Sequence, residues 1–149
     1  MLLTVDSSVF VAMFHAHEAR DKHVRDMFVE LRARGDRVAI PSLVVMETAT
    51  ALSRYGALAP ISDFETYFSD FRILPLDEAF MRRFNAAARQ EPLALKTSDA
   101  IMVRVAQWNG AALITLDRQM AAQGTQYVRT LTPQQYLDID GNNHGTATH

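Results

Sequence analysis

Four acidic residues stand where a folded chain could gather them into one reactive site. Asp6 and Asp117 each follow an apolar run typical of a buried strand, and Glu47 lies inside a predicted helix that follows another strand. Parallel strands direct their carboxyl ends, and the adjacent helix starts, toward one edge of a sheet, so these three residues are expected together there. Asp99 lies at the start of a helix that precedes a strand. A parallel arrangement does not guarantee that such a residue reaches the same edge of the sheet.

Such a cluster has a definite chemistry. At about 4 Å and an effective dielectric constant near 20, each pair of carboxylates repels by about 4 kcal/mol, so the cluster requires protonation or a bound cation. The chain has no cysteine, and a site of oxygen ligands selects Mg²⁺ or Mn²⁺ over zinc. Four acids could hold one ion or two, and a pair of ions suits in-line phosphoryl displacement.

Each acid also has a purely structural interpretation. Asp6 and Asp117 suit the N-caps of the helices that follow them, and Asp99 suits the first turn of its own helix. Glu47 resists this interpretation, because its helix is apolar nearly all round at that point. A buried carboxylate must be paired, neutralised or metal-bound, so an arginine partner is the structural alternative for Glu47.

Five short apolar runs alternate with helical patterns, which predicts a parallel sheet with helices on both faces. The predicted strands are Leu2–Val5, Val38–Ile40, Arg72–Leu74, Ala112–Leu116 and Tyr127–Arg129.

Capping residues and terminal glycines predict the helix boundaries. The first helix begins at Ser7 or Ser8, a second ends at Gly35, and a third is capped by Ser42 and runs to Tyr55. Later helices are opened by Pro60 and Ser62, capped by Asp77, capped by Thr97–Asp99, and begun by a capping box at Thr132.

Composition limits the class of protein. The chain has 149 residues, 48% hydrophobic and 21% charged, with a net charge of −2, which predicts one globular domain over residues 1–140 and a polar tail over 141–149. Absence of cysteine excludes disulfide scaffolds, thiolate zinc sites and iron–sulfur clusters. With neither a signal peptide nor an apolar run long enough to span a membrane, the expected location is the cytoplasm.

Four segments resemble the acidic motifs of PIN domains, in the order and spacing of the bacterial VapC-type toxins. They are Val5–Ser8, Ile40–Glu47, Lys96–Ile101 and Leu113–Arg118, and the segment from Leu131 to Leu137 resembles the family's C-terminal part. The resemblance extends from Leu2 to about Leu137.

This resemblance implies a three-layer α/β/α sandwich with Mg²⁺- or Mn²⁺-dependent endoribonuclease activity. It also implies a homodimer, an RNA substrate and a cognate VapB-like antitoxin. By matching motifs, the metal ligands are Asp6, Glu47, Asp99 and Asp117, while Ser8 and Thr115 match polar positions that support the site. Gln119 stands where some relatives carry a further acid, so one or two ions are compatible with the sequence.

Other residues have simpler expected roles. The spacing of the histidines and the acid at His15, His17, Glu18 and His23 is not the i, i+4 spacing of helical metal ligands and predicts a solvated connection, which could still border the substrate groove. Arg104 is expected in solvent rather than against phosphate. Aromatic residues at helical spacing are expected in the core or in a dimer contact rather than stacked on bases; they are Phe64, Tyr67, Phe68 and Phe71.

Three alternatives to a ribonuclease stay open. A non-catalytic PIN-like binding module is disfavoured by the presence of all four acids, and DNA cleavage would use the same site chemistry. A receiver-type phosphoacceptor domain needs paired acids after the first strand and a lysine after the last, whereas Ser7 and Arg129 stand there. The motifs of P-loop, dinucleotide-binding and α/β-hydrolase proteins do not occur.

Overall fold

Parallel strands form the centre of the protein. The computed structural model describes residues 1–15 and 20–139, so the predicted tail at 141–149 lies outside the described residues. The sheet is formed by the strands β1 (Leu2–Val5), β2 (Arg37–Pro41), β3 (Arg72–Leu74), β4 (Ala112–Ile114) and β5 (Thr130–Leu131). Their order across the sheet is β3-β2-β1-β4-β5, and every neighbouring pair is parallel. The predicted α/β class with five parallel strands is confirmed.

Helices cover both faces of the sheet. The helices are α1 (Ser7–Phe14), α2 (Arg20–Arg34), α3 (Ser42–Arg54), a 3₁₀ helix (Phe64–Asp70), α4 (Glu78–Gln90), α5 (Thr97–Asn109), α6 (Arg118–Gly124) and α7 (Pro133–Leu137). Across one face, α5 packs on β1, β2 and β4 with α6 beside it, whereas α1, α2, α3 and α7 contact one another. Right-handed crossovers place the two groups on opposite faces. No helix within these described ranges is long and apolar enough to cross a membrane.

Three predicted strands have different limits. β2 is one residue longer at each end than Val38–Ile40, and β4 ends at Ile114 rather than Leu116. The fifth strand is formed by Thr130–Leu131, not by Tyr127–Arg129, because the amides of Tyr127 and Val128 bond the carbonyl of Gly124 and continue the turn after α6. Apolar residues in a turn therefore resembled a strand.

Helix starts differ from the predictions at three places. Pro41 and Lys96, not Ser42 and Thr97–Asp99, occupy the N-cap positions of α3 and α5, and neither helix has a side-chain cap hydrogen bond. The helix expected from Pro60 is a 3₁₀ helix that begins after Asp63, a residue in the left-handed region at φ 56°. The caps predicted at Asp77 and Thr132 are confirmed, the latter as a complete capping box.

The sheet order positions the site. From β1 the chain moves outward to β2 and β3, then returns to the other side of β1 to form β4 and β5. The direction of winding therefore reverses between β1 and β4, and ligands of open α/β sheets bind at the carboxyl ends of the strands at that point. Asp6 and Asp117 follow these two strands.

The aromatic residues of the 3₁₀ helix belong to the core, as one of the two expectations had it. Phe68 lies 5.0 Å from the ring of Phe10, and Tyr67 lies 4.9 Å from the ring of Phe14 in an edge-to-face arrangement. Aromatic pairs with these separations stabilise the fold by more than the burial of their surface area alone. They fix α1 in place, immediately after Asp6.

Arg104 corrects the prediction of a solvated side chain. Only 4% of the residue is exposed. Its Nη1 donates to Oε2 of Glu91 at 2.9 Å and to Oε1 of Gln107 at 3.0 Å, and its Nη2 donates to the main-chain oxygen of Glu91. The guanidinium turns toward the α4–α5 connection because that connection supplies the acceptors that a buried arginine requires.

Candidate active site

All four predicted carboxylates line one cavity of about 820 Å³, Asp6, Glu47, Asp99 and Asp117. Asp6 lies directly after β1, and Asp117 precedes α6. Glu47 comes from the second turn of α3, and Asp99 from the first turn of α5. The tertiary structure therefore brings Asp99 to the other three acids.

Asp6 is held by two hydroxyl groups. Its Oδ2 accepts hydrogen bonds from Oγ of Ser8 at 2.6 Å and from Oγ1 of Thr115 at 2.9 Å. The Asp6 amide donates to the carbonyl of Ile114 at 2.9 Å, which fixes the backbone across β1 and β4. Asp6 occupies the predicted N-cap position of α1, but its side chain makes no cap hydrogen bond, so capping does not account for its carboxylate.

Asp117 does act as a helix cap, as the structural alternative predicted. Its Oδ1 accepts from the amides of Gln119 at 2.7 Å and Met120 at 3.0 Å, the first residues of α6. Its own amide donates to Oγ1 of Thr115 at 3.0 Å, so the same threonine contacts both aspartates. Oδ2 of Asp117 has no hydrogen-bond donor in the described part of the chain and stays available to a ligand.

Among the side chains that the structure describes, at 1–15 and 22–139, Glu47 has no arginine or lysine partner, which contradicts the arginine alternative. Its Oε2 accepts from Oγ of Ser7 at 3.0 Å. Partial burial raises the pKa of Glu47; the hydrogen bond from Ser7 opposes the shift, and the negative charges of Asp6 and Asp99 add to it.

Asp99 experiences the same crowding of negative charge. Partial burial raises its pKa, the charges of Asp117 and Asp6 raise it further, and the ammonium of Lys96 opposes them. Neither carboxylate oxygen of Asp99 receives a hydrogen bond from a residue that the structure describes. Asp99 is therefore the least restrained acid of the four.

The donor set fits a hard divalent cation in its chemistry. Carboxylate oxygens, several of them without a protein donor, are the ligands that Mg²⁺ and Mn²⁺ prefer. The side chains do not converge into a closed cage: within the described ranges no group of three or more acidic or histidine residues is arranged to hold an ion directly. Mg²⁺ usually binds one or two carboxylates and keeps several waters, so a wide cavity is compatible with it.

Sequence reasoning missed several residues of the cavity. Ser7, Lys96 and Tyr55 line it. His15 also lines it, at the beginning of the connection that could border the substrate groove. A helical signal for Tyr55 was available, because Glu47, Ala51 and Tyr55 follow one another at intervals of four. His17 and Glu18 lie outside the described residues, and His23 lies exposed on α2.

Comparison with known proteins identifies the family. The model of the PIN domain matches residues 3–124. The fold is shared with VapBC2 from Rickettsia felis (15% identity, TM-score 0.60, 89% of this chain and 98% of that one). It is also shared with a toxin–antitoxin complex from Klebsiella pneumoniae (21%, 0.60, 88% and 97%) and a sarcin–ricin-loop-cleaving VapC toxin from Mycobacterium tuberculosis (20%, 0.60, 80% and 93%). No curated protein gave a significant match. Because the family model spans most of a chain whose fold agrees with it, this protein belongs to the PIN domain family.

Proposed function

We propose that this protein is a metal-dependent endoribonuclease that acts as the toxin of a toxin–antitoxin pair. One observation carries the proposal: four carboxylates from four separate segments line a single cavity at the reversal point of the sheet. Hydrogen bonds within the described part of the chain use at most one carboxylate oxygen each of Asp6, Glu47 and Asp117, and neither oxygen of Asp99.

The residues of the cavity have different roles in the proposed reaction. Asp6, Glu47, Asp99 and Asp117 would hold Mg²⁺ or Mn²⁺, one ion or two, which when bound would activate water and neutralise charge at the scissile phosphate. Ser7 orients Glu47, while Ser8 and Thr115 orient Asp6. Asp99 or Glu47 would accept the proton that the attacking water loses, and Asp99 is the better placed because no donor restrains its oxygens.

The toxin assignment draws on the structural relatives. These relatives include VapBC2, a toxin–antitoxin complex and a toxin that cleaves the sarcin–ricin loop. Identities of 15–21% carry only the fold to this chain, so RNA as substrate, a VapB-like antitoxin, a homodimer and action in the cytoplasm are parts of the proposal.

Cleavage of a structured RNA pool tests the proposal. We expect wild-type protein to cut RNA with Mg²⁺ or Mn²⁺ and to stop when EDTA is added. Asp6→Asn and Asp99→Asn each remove one cavity carboxylate and should lower the rate by about 100-fold or more. RNA fragments are quantified by gel electrophoresis and their ends by sequencing.

Asp63→Asn is the matched control. Asp63 lies outside the cavity and has a positive φ of 56°, a conformation that asparagine tolerates, so this variant should cut like wild type. Cleavage that persists in both cavity variants would refute the assigned site. Metal binding without any cleavage, in vitro or in expressing cells, would favour a binding module, and cleavage of DNA alone would overturn the choice of substrate.

A further inference from the structure

We propose that Tyr55, backed by His15, is a stacking site for one nucleobase of the RNA strand whose phosphate occupies the carboxylate cavity. This inference rests on the proposed function and adds a substrate-binding site to it. Both residues line the same cavity as the four acids. They come from the C-terminal ends of α3 and α1, away from the strand ends.

Two adjacent helices form the floor between the acids and the aromatic pair. α1 and α3 pack against each other, and each carries cavity residues along its length. On α3, Glu47, Ala51 and Tyr55 recur every four residues and so share one face. Eight residues at a rise of 1.5 Å separate Glu47 from Tyr55 by about 12 Å. A stacked strand rises about 3.4 Å per nucleotide, so the pair lies a few nucleotides from the acids.

The geometry of the pair is that of a platform. The rings of His15 and Tyr55 are 4.7 Å apart and within 5° of parallel. Tyr55 is nevertheless 62% exposed, so the contact with His15 leaves most of the residue accessible to solvent. The Tyr55 amide donates to the carbonyl of Leu52 at 3.2 Å, so the residue that carries the ring still belongs to the last turn of α3.

The charges that line the cavity indicate what a stacking platform contributes to RNA binding. Proteins usually obtain most of their affinity for nucleic acids from lysine and arginine contacts with phosphate. Here four acids line the cavity, and Lys96 is its one lysine or arginine in the described part of the chain. Stacking on an aromatic ring supplies affinity without a positive charge, since every base has a π face. Single-stranded, unstacked bases are the form of RNA that such a ring accepts.

Binding of a short labelled single-stranded RNA tests the site. Fluorescence anisotropy is measured in the Asp99→Asn background, with Mg²⁺, so that the RNA is not consumed. Tyr55→Leu should weaken binding by about 5- to 150-fold, the range for losing one stacked base. Tyr55→Phe and Tyr55→Trp keep an aromatic ring and should bind as tightly as the background protein.

Two further measurements isolate stacking from charge and from folding. Tyr55→Leu should leave the dependence of affinity on salt unchanged, whereas Lys96→Gln should reduce it. Tyr55→Leu should have no effect on an RNA of the same length whose bases have been removed. Met81→Ala, an exposed apolar residue outside the cavity, is the surface control and should bind normally.

The outcomes separate this inference from the proposed function. Equal affinity of Tyr55→Leu and its background for the intact RNA would overturn the stacking site, even if wild-type protein cleaves RNA. An equal loss with the base-free RNA would also overturn it, because the ring would then act on the backbone or on folding. Tyr55-dependent binding in a protein that never cleaves would support the site and refute the nuclease.

Discussion

Individual carboxylates in this cavity serve the fold with one oxygen and leave the other available. Oδ1 of Asp117 caps α6, and Oδ2 of Asp6 accepts from Ser8 and Thr115. In both cases the hydrogen bonds fix the side chain without using the second oxygen. Restraint of this kind orients a metal ligand before the metal arrives.

Removal of one restraining hydroxyl should lower activity without unfolding the protein. Ser8→Ala deletes a donor to Asp6 and an acceptor for the amide of Leu116. Loss of such an orienting partner typically costs about 10- to 100-fold in metal affinity or activity. Cleavage rate as a function of Mg²⁺ concentration measures both effects.

Ser69→Ala is the matched control for Ser8→Ala. The Ser69 hydroxyl bonds only the carbonyl of Thr66, on an exposed part of the 3₁₀ helix, so wild-type activity is expected. Equal rates and equal metal affinity for Ser8→Ala and wild type would show that the Ser8 hydroxyl does not position Asp6.

At the scale of elements, the α4–α5 connection is held from two sides. Arg104 of α5 bonds the side chain and carbonyl of Glu91 at the beginning of the connection. The hydroxyl of Tyr127 accepts from the amide of Ala94 at 3.3 Å. The connection ends at α5, whose first turn carries Asp99, so these contacts set where that acid enters the cavity.

Arg104→Ala should lower the free energy of unfolding by about 1–3 kcal/mol, because it removes a buried side chain together with its charge-assisted hydrogen bonds to Glu91 and Gln107. Arg82→Ala removes an arginine from an exposed pair with Glu78 and should change stability by less than about 0.5 kcal/mol. Urea denaturation of both variants measures the difference. Equal midpoints would mean that the buried arginine contributes no more than a surface ion pair.

At the scale of the whole molecule, helices α2 and α7 are joined near the amino ends of the strands. The hydroxyl of Tyr136 in α7 donates to Oδ2 of Asp36 at 2.7 Å, just after α2. Arg34 of α2 donates to the carbonyls of Tyr136 and Leu137. This junction lies at the opposite edge of the sheet from the carboxylate cavity, so it affects stability rather than chemistry.

Stability should fall in acid through Asp36. Burial alone would raise the pKa of Asp36, but hydrogen bonds from the N-terminal ammonium and from Tyr136, with the charge of Arg34, lower it below 3.8. A lowered carboxylate pKa contributes stability above the unfolded value, and that stability is lost as the pH falls through the folded value. As the pH falls below 4, the melting temperature should therefore decrease more steeply for wild type than for Asp36→Asn. Parallel curves would contradict this role.

Much of the architecture could be predicted from sequence because its causes are local. Apolar runs predict four of the five strands close to their observed bounds. Gly35, Gly56 and Gly110 each follow a helix and have a positive φ, a conformation that glycine adopts without strain. The capping box at Thr132 depends on residues only three apart. The four acids were identified by type and order, and their role as metal ligands stays a prediction.

Only the tertiary structure decided what depends on distant contacts. Asp99 reaches the other acids because the direction in which the chain winds along the sheet reverses between β1 and β4. Arg104 is buried because the α4–α5 connection folds back over it, and the last strand is Thr130–Leu131 because the chain first completes a turn against Gly124. The stack of His15 on Tyr55 joins the ends of two helices. Periodicity reports which residues share a face, whereas packing between elements determines which faces meet.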